Sequence, residues 1–188
     1  AWAGLGEAFQ FTGDSERALE AFRRVVELKP DRESAYSNLI YCSQFAPEMN
    51  AQCMADLYAE WDHSQVQPLK SERLPLNNDP DPDRRLRLGV LSPNLRKHSA
   101  AVLTVLGFEN LDRTQFETFA YSDLADEDDF TERLKLSFNH WQPVFGMSDS
   151  DIATIIHRDQ IDVLILMAGH QQMNRQLVAA RRPAPVQI

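Results

Sequence analysis

The sequence predicts an α/β chain in two parts, helical hairpins followed by a parallel-sheet domain, and three observations carry that prediction. Apolar residues recur at helical spacing through Ala1–Phe45, prolines crowd into Gln65–Arg84, and beyond Arg85 short apolar runs of strand length alternate with helix-length segments. The composition supports a real core, since 43% of the 188 residues are hydrophobic. A formal net charge of −9 argues against nucleic acid as a partner, because neutralising phosphates takes a clustered excess of Lys and Arg. The longest apolar run, Val163–Ala168, falls far short of the roughly 20 residues that span a bilayer. No charged-then-apolar leader precedes it, so the expectation is a cytoplasmic protein with no membrane partner. The chain opens on Ala1-Trp2 in the middle of a pattern, which predicts a piece of a longer protein.

The first element carries Trp2, Leu5 and Phe9 on one stripe, the second Ala18, Phe22, Val25 and Val26, and the third Tyr36, Leu39 and Ile40. Gly13 and Pro30-Asp31 separate them. Small residues at Gly6 and Ala18 let paired helices approach while the large ones fill the gap. The set Trp2-x-x-Leu5-Gly6, Gly13, Ala18-x-x-x-Phe22 and Pro30 resembles a tetratricopeptide repeat, whose period of about 34 residues puts Tyr36 where the next Trp2 would be. The second repeat decays at Phe45-Ala46-Pro47, and Met49–Asp62 reads as a longer helix, so residues 1–64 are expected to end such an array. An array needs about three repeats, which predicts more upstream. Cys42 and Cys53 lie in helical sequence and read as small hydrophobes rather than a disulfide or metal pair.

Residues 65–84 hold Pro68, Pro75, Pro80 and Pro82 around the polar run Asn77-Asn78-Asp79, and are expected to be a linker, because proline supports neither a helix interior nor a central strand. From 85 to 188 the predicted order is strand Leu86–Leu91, helix Ser99–Asn110, strand Phe116–Tyr121, helix Asp128–Phe138, strand Trp141–Phe145, helix Asp149–Arg158 and strand Ile161–Met167. That alternation gives βαβ units in a Rossmann-like parallel sheet with helices on both faces. The acidic stretch Asp123–Glu132 reads as helix-end electrostatics rather than a cation site.

Ligands of open parallel sheets lie where strands turn into helices, at Ser92–Ser99, Ser122–Asp126 and Ala168–Arg175. The first turn has no glycine, which disfavours a dinucleotide site. His98 stands in it, just past the first strand, as either a capping histidine or one that exchanges hydrogen bonds with a sugar hydroxyl. His170, after Gly169, is its counterpart beyond the fourth strand, with the same two readings. His63, His140 and His157 occupy structural contexts. No residues have zinc-ligand spacing, and neither a P-loop nor a Gly-x-Ser-x-Gly elbow is present.

Segments Leu86–Ser92, His98, Phe116–Ser122, Ile161–Leu164, Ala168-Gly169-His170, Asn174-Arg175 and Ala180–Gln187 occur in the order found in the O-GlcNAc transferase and SPINDLY-type glycosyltransferases, which the chain resembles over nearly its whole length. The Arg182-Pro183-Ala184-Pro185-x-Gln187 string is the most specific match. The resemblance implies a tetratricopeptide superhelix joined to the N-terminal half of a GT-B catalytic region. It implies transfer of a sugar from UDP-GlcNAc or a related nucleotide sugar to Ser or Thr hydroxyls, with no metal or other cofactor and a protein or peptide acceptor held by the superhelix. His98 matches the family's cleft histidine and is the expected catalytic residue, positioning or handling a proton. His170, Asn174 and Arg175 are the expected substrate-binding residues. The family's main diphosphate and uridine contacts come from a second half, so these residues alone are expected to be inactive or nearly so. Asn94, Leu166 and Gln171 depart from the family's acidic, acidic or amide, and Thr positions, which keeps open a tetratricopeptide adaptor with a degenerate, non-catalytic α/β domain. A receiver-like or flavodoxin-like domain is disfavoured by the lack of paired acids and of a phosphate loop.

Overall fold

The computed structural model describes residues 1–188, and it opens with four helices, α1 (Trp2–Phe11), α2 (Ser15–Leu28), α3 (Glu33–Ser43) and α4 (Ala51–Trp61); the stripes predicted for α2 and α3 are buried, whereas Trp2 and Leu5 of the α1 stripe are exposed. Each packs on the next, α1 on α2, α2 on α3 and α3 on α4. Asp14 caps α2 by accepting the Arg17 N–H, and Asn50 caps α4 by accepting the Cys53 N–H. The core between them holds Ala18, Phe22, Val25, Val26, Tyr36, Leu39, Ile40 and Leu57. Gly6 has a packing reason, since a Cβ there would lie 2.6 Å from the fully buried Phe22 ring.

Helical geometry does not stop at Trp61. A π turn (Asp62–Val66) and a 3-10 segment (Gln67–Glu72) carry it on, with Pro68 near the start of the latter, where its fixed φ is tolerated. The chain divides into two compact units, residues 1–71 with 170–172, and residues 72–169 with 173–188. The division falls inside the proline-rich stretch. Residues beyond it are fastened to the sheet unit: Arg73 Nε donates to the Ala180 carbonyl at 2.9 Å, and His157 Nε2 donates to the Pro75 carbonyl at 2.9 Å. Proline keeps this stretch extended, and its side chains supply the bonds its backbone cannot.

The second unit contains β1 (Leu86–Ser92), α5 (Ser99–Glu109), β2 (Phe116–Ser122), α6 (Asp129–Lys135), β3 (His140–Pro143), α7 (Asp149–Arg158), β4 (Val163–Leu166), α8 (Gln176–Ala180) and β5 (Val186–Gln187). All pairings are parallel, in the order β3-β2-β1-β4-β5, with Leu86 opposite Phe116 and Leu88 opposite Val163. The sheet is therefore parallel and Rossmann-like, as the alternating pattern predicts, and the structure adds the order of its strands. β3 stops sooner than expected because Pro143 has no N–H to continue the ladder. Helix α8 and strand β5 add to the predicted elements.

Neighbouring residues of one strand feed different cores. On one face Leu91, Phe119, Tyr121 and Leu164 pack with Ile152 and Ile156 of α7 and Val178 of α8. Val90 and Ala120 face the other way, onto Ala101, Val105 and Phe108 of α5 and Leu134 of α6. This is the burial on both faces that a parallel sheet requires.

Asp162, just before β4, ties the extended stretch to the sheet. Its carboxylate accepts from both Arg84 terminal nitrogens at 2.6 and 2.5 Å, from Asn78 Nδ2 at 2.7 Å and from the Arg87 N–H at 2.8 Å. Burial pushes its pKa up, but Arg84, the Arg87 N–H and Asn78 together hold it below the ordinary value. A depressed carboxyl stabilises the fold above the unfolded pKa of about 4, and that stability is lost as pH falls through the lower folded value. Asp162→Ala is expected to cost about 3 kcal/mol in urea denaturation at pH 7, since it strands Arg84, and to weaken the acid sensitivity below about pH 4.

Candidate functional site

The strand order locates a crevice. Chain crossovers leave β1 toward one face and β4 toward the other, so the carboxyl ends of β1 and β4 form the switch point where open α/β sheets bind ligands. Of the three turns expected to qualify, the two beside this point are Pro93–His98 after β1 and the turn that follows β4. The strand ends are joined by Met167 N–H donating to the Leu91 carbonyl at 3.3 Å.

Turn 93–98 is rigidly held. Ser92, fully buried, accepts the Asn94 N–H on its Oγ at 3.0 Å, and buried Leu95 gives its carbonyl to Thr131 Oγ at 3.0 Å. Asp128 caps α6 through a reciprocal box with Thr131, and its second oxygen accepts the Lys97 N–H at 2.9 Å. These bonds place His98, half-buried, as the N-cap of α5, where its Nδ1 accepts the Ala100 N–H at 3.3 Å. A ring nitrogen that accepts carries no proton, so the neutral imidazole holds its proton on Nε2. The structure shows the capping reading of His98, and the cap selects a tautomer that keeps its N–H on Nε2.

Arg175 is a clamp. Its Nε and one terminal nitrogen donate to the two oxygens of Asp123 at 2.7 and 3.0 Å, and the other terminal nitrogen donates to Asp149 at 2.9 Å. Asp123 follows β2 and is 2% exposed, and Asp149 opens α7, so one guanidinium ties three elements beside the switch. Its pKa is pushed further up by the hydrogen bonds it donates to Asp123 and Asp149, against the cost of burial. Asn174 Oδ1 accepts the Gln176 N–H at 3.2 Å, starting α8. Asn174 and Arg175 thus fix the chain where it enters α8.

His170 belongs to the helical unit. Gly169 takes a φ of 53°, which glycine adopts without strain, and residues 170–172 belong to the helical unit. There His170 Nδ1 meets Ser37 Oγ at 3.0 Å, and its ring lies 4.9 Å from Trp61 and 5.5 Å from Tyr58, centre to centre. It is 7% exposed, and burial pushes its pKa down to about 4, so the ring is neutral at pH 7. The structure therefore groups His98, Asn174 and Arg175 in one unit and His170 in the other. Sequence reading set Asp123 aside; a carboxylate paired 52 residues along the chain leaves no local signal. The acidic stretch is spoken for: Asp123 by Arg175, Asp128 by a cap, and Glu127 and Glu132 by Lys135. No group of three or more His, Cys, Asp or Glu is placed to hold a metal ion.

A family model described as glycosyl transferase family 41 matches residues 43–188. The chain belongs to that family. A protein of Hordeum vulgare described as a probable UDP-N-acetylglucosamine–peptide N-acetylglucosaminyltransferase, SPINDLY, is 25% identical over 166 residues, covering 86% of this chain and 18% of its own length. The similarly described SEC of Arabidopsis thaliana is 33% identical over 108 residues, covering 56% of this chain and 11% of the relative. The family 41 chain thus spans less than a fifth of these curated relatives. Among solved structures, an O-GlcNAc transferase mutant of Thermobaculum terrenum matches 99% of this chain and 36% of its own, at 31% identity and a TM-score of 0.90. No helix is long and apolar enough to cross a membrane.

Two outcomes check the site. Arg175→Ala is expected to cost about 3 kcal/mol by urea denaturation, because Asp123 is left buried without its partner; Arg175→Lys recovers little, since an ammonium cannot span both Asp123 oxygens and Asp149. For His170, folding favours the neutral ring, so stability is complete above the unfolded pKa of about 6.5 and declines as pH falls toward the folded value. The loss reaches about 2 kcal/mol at pH 5, and His170→Gln is expected to flatten that arm of a Tm-versus-pH profile.

Proposed function

We propose that this chain supplies the acceptor-side half of the catalytic crevice in a nucleotide-sugar glycosyltransferase that modifies Ser or Thr hydroxyls of proteins, with UDP-GlcNAc or a close relative as donor and no resident cofactor. The observation that carries the proposal is the preorganised His98 at the switch point of a family 41 sheet. The names of the barley and Arabidopsis relatives support the donor and the acceptor class.

In such a transfer an acceptor oxygen attacks the anomeric carbon, the bond to the diphosphate breaks with its electron pair going to the leaving group, and the acceptor proton must depart. The bond pattern of His98 favours one part in this. Its Nδ1 lone pair is taken by Ala100 and its Nε2 is protonated, so the neutral ring donates to an acceptor or sugar oxygen and orients it. Taking the acceptor's proton would need the other tautomer, which would set an N–H against the Ala100 N–H. We therefore assign His98 to positioning by donation, and proton removal to another group. Asn174 and Arg175 act through the shape of the crevice wall. The helical unit is read as the end of a tetratricopeptide superhelix that holds the protein acceptor. The main donor contacts are assigned to residues outside the 188 of this chain, which on its own is expected to bind UDP-GlcNAc weakly and to transfer no sugar.

In the whole protein, His98→Ala is expected to lower kcat/KM by about 100-fold or more, whereas His98→Gln, whose amide both accepts and donates, keeps a substantial part of the activity. Equal loss in both variants would point to proton abstraction instead, and unchanged kcat/KM in both would remove His98 from the reaction. Calorimetric titration of the isolated chain with UDP-GlcNAc checks the donor assignment, with tight binding the result that would refute it.

A further inference from the structure

The helical unit holds a cavity that sugar transfer does not use. It has a volume of about 360 Å³, and its lining includes Tyr41, Cys42 and Phe45 together with Gly13 and Ser15. The Tyr41 and Phe45 rings meet edge to face at 5.2 Å, and Phe45 is 62% exposed, so an aromatic surface faces solvent. A second hollow of about 490 Å³ shares Gly13 and Ser15 with the first and is lined by Glu16 and Glu48. Neither carboxylate has a hydrogen-bond or ion-pair partner. The nearby cation Arg17 is already held by Asp14. Glu48 is felt inside the first cavity, where burial and then its charge push the Cys42 thiol up.

Exposed aromatic faces next to two unpaired carboxylates have the chemistry of a cation receptor: the rings attract a cation over their faces and the carboxylates accept its hydrogens. A planar guanidinium satisfies both demands at once, where a compact ammonium satisfies only the charge. The position is also periodic, because Phe11, 94% exposed, stands one period of about 34 residues before Phe45. Solvent-facing aromatics at the same place in successive hairpins make a row suited to an extended chain. The net charge of −9 favours a basic partner.

We propose that this groove docks a basic segment of a partner protein, with an arginine side chain stacked on Tyr41 and Phe45 and its guanidinium turned toward Glu16 and Glu48. The site lies wholly in the helical unit. It refines how a protein partner is recognised, and its loss would leave the sugar-transfer reading standing.

The test is fluorescence anisotropy of a labelled Gly/Ser peptide of about ten residues carrying two arginines, titrated with the 188-residue chain, and with the citrulline peptide as control. Saturable binding is expected, weakened at least about fivefold by Phe45→Ala, by Glu16→Gln with Glu48→Gln, by citrulline, and by raising NaCl from about 0.05 to 0.3 M. These side chains are solvent-facing, and unchanged circular dichroism melting of the variants confirms that they fold. Absence of saturation up to about 1 mM, or equal affinity for the variants and the citrulline peptide, overturns the proposal. A concentration-dependent dimer in sedimentation that Phe45→Ala abolishes would also overturn it, by making a second copy of the chain the occupant.

Discussion

The structure of the second unit depends on β1 being a parallel strand with a parallel neighbour on each side. Parallel partners cannot be joined by a tight turn, so every connection crosses a face of the sheet and brings a helix with it. Because β1 pairs with β2 through all seven of its residues and with β4 on its other side, crossovers diverge at its carboxyl end, α5 and α6 to one face and α7 and α8 to the other. That divergence marks the switch point, and it leaves the turn after β1 at the place where open α/β sheets take their ligands. Val90 and Leu91 show the constraint within two residues, one buried in each core.

Charge in this acidic protein is organised rather than spread. Two carboxylates, Asp123 and Asp162, are nearly fully buried, and each is met by an arginine fork, at opposite ends of the strands. Desolvation makes an unpaired carboxylate there prohibitive, while a planar guanidinium satisfies both oxygens. Asp162 fixes an extended, proline-rich stretch to the sheet, and Asp123 fixes the start of α8 beside the crevice. Both pairs use residues that sequence alone would leave to solvent or to a ligand. Arg175 holds Asp123 and Asp149 with three of its five N–H donors.

The same economy shows at His98. One ring nitrogen closes the N-terminus of α5, and that bond decides which nitrogen keeps the proton, so a structural cap sets the chemical character of a site residue. His170 has a different setting for the same side chain: beside Tyr58, Trp61 and Ser37, it is held neutral by burial. Both follow a strand and both lie near glycine-poor or glycine-led turns. Only their neighbours, 2 residues away for His98 and 133 for His170, separate them.

What the sequence determined by itself are the features whose physics is local or periodic. Helical stripes gave α1 to α3, strand-length apolar runs gave β1, β2 and β4, the alternation of strand-length and helix-length segments gave α7 at its observed limits, and the order of motifs pointed to the family. Even the edge strand β3 was visible, with its end displaced by a proline whose missing N–H is itself a local fact. Tertiary structure decided everything that rests on pairing across distance: the order of the strands and hence the switch point, the capture of residues beyond Ser71 by the sheet unit, the clamp of Arg175 on Asp123, and the placement of His170 with Ser37. The physical reason is that these outcomes turn on which buried charge or ring nitrogen meets which partner. Residues far apart in the chain acquire that relation only once the cores have closed around them.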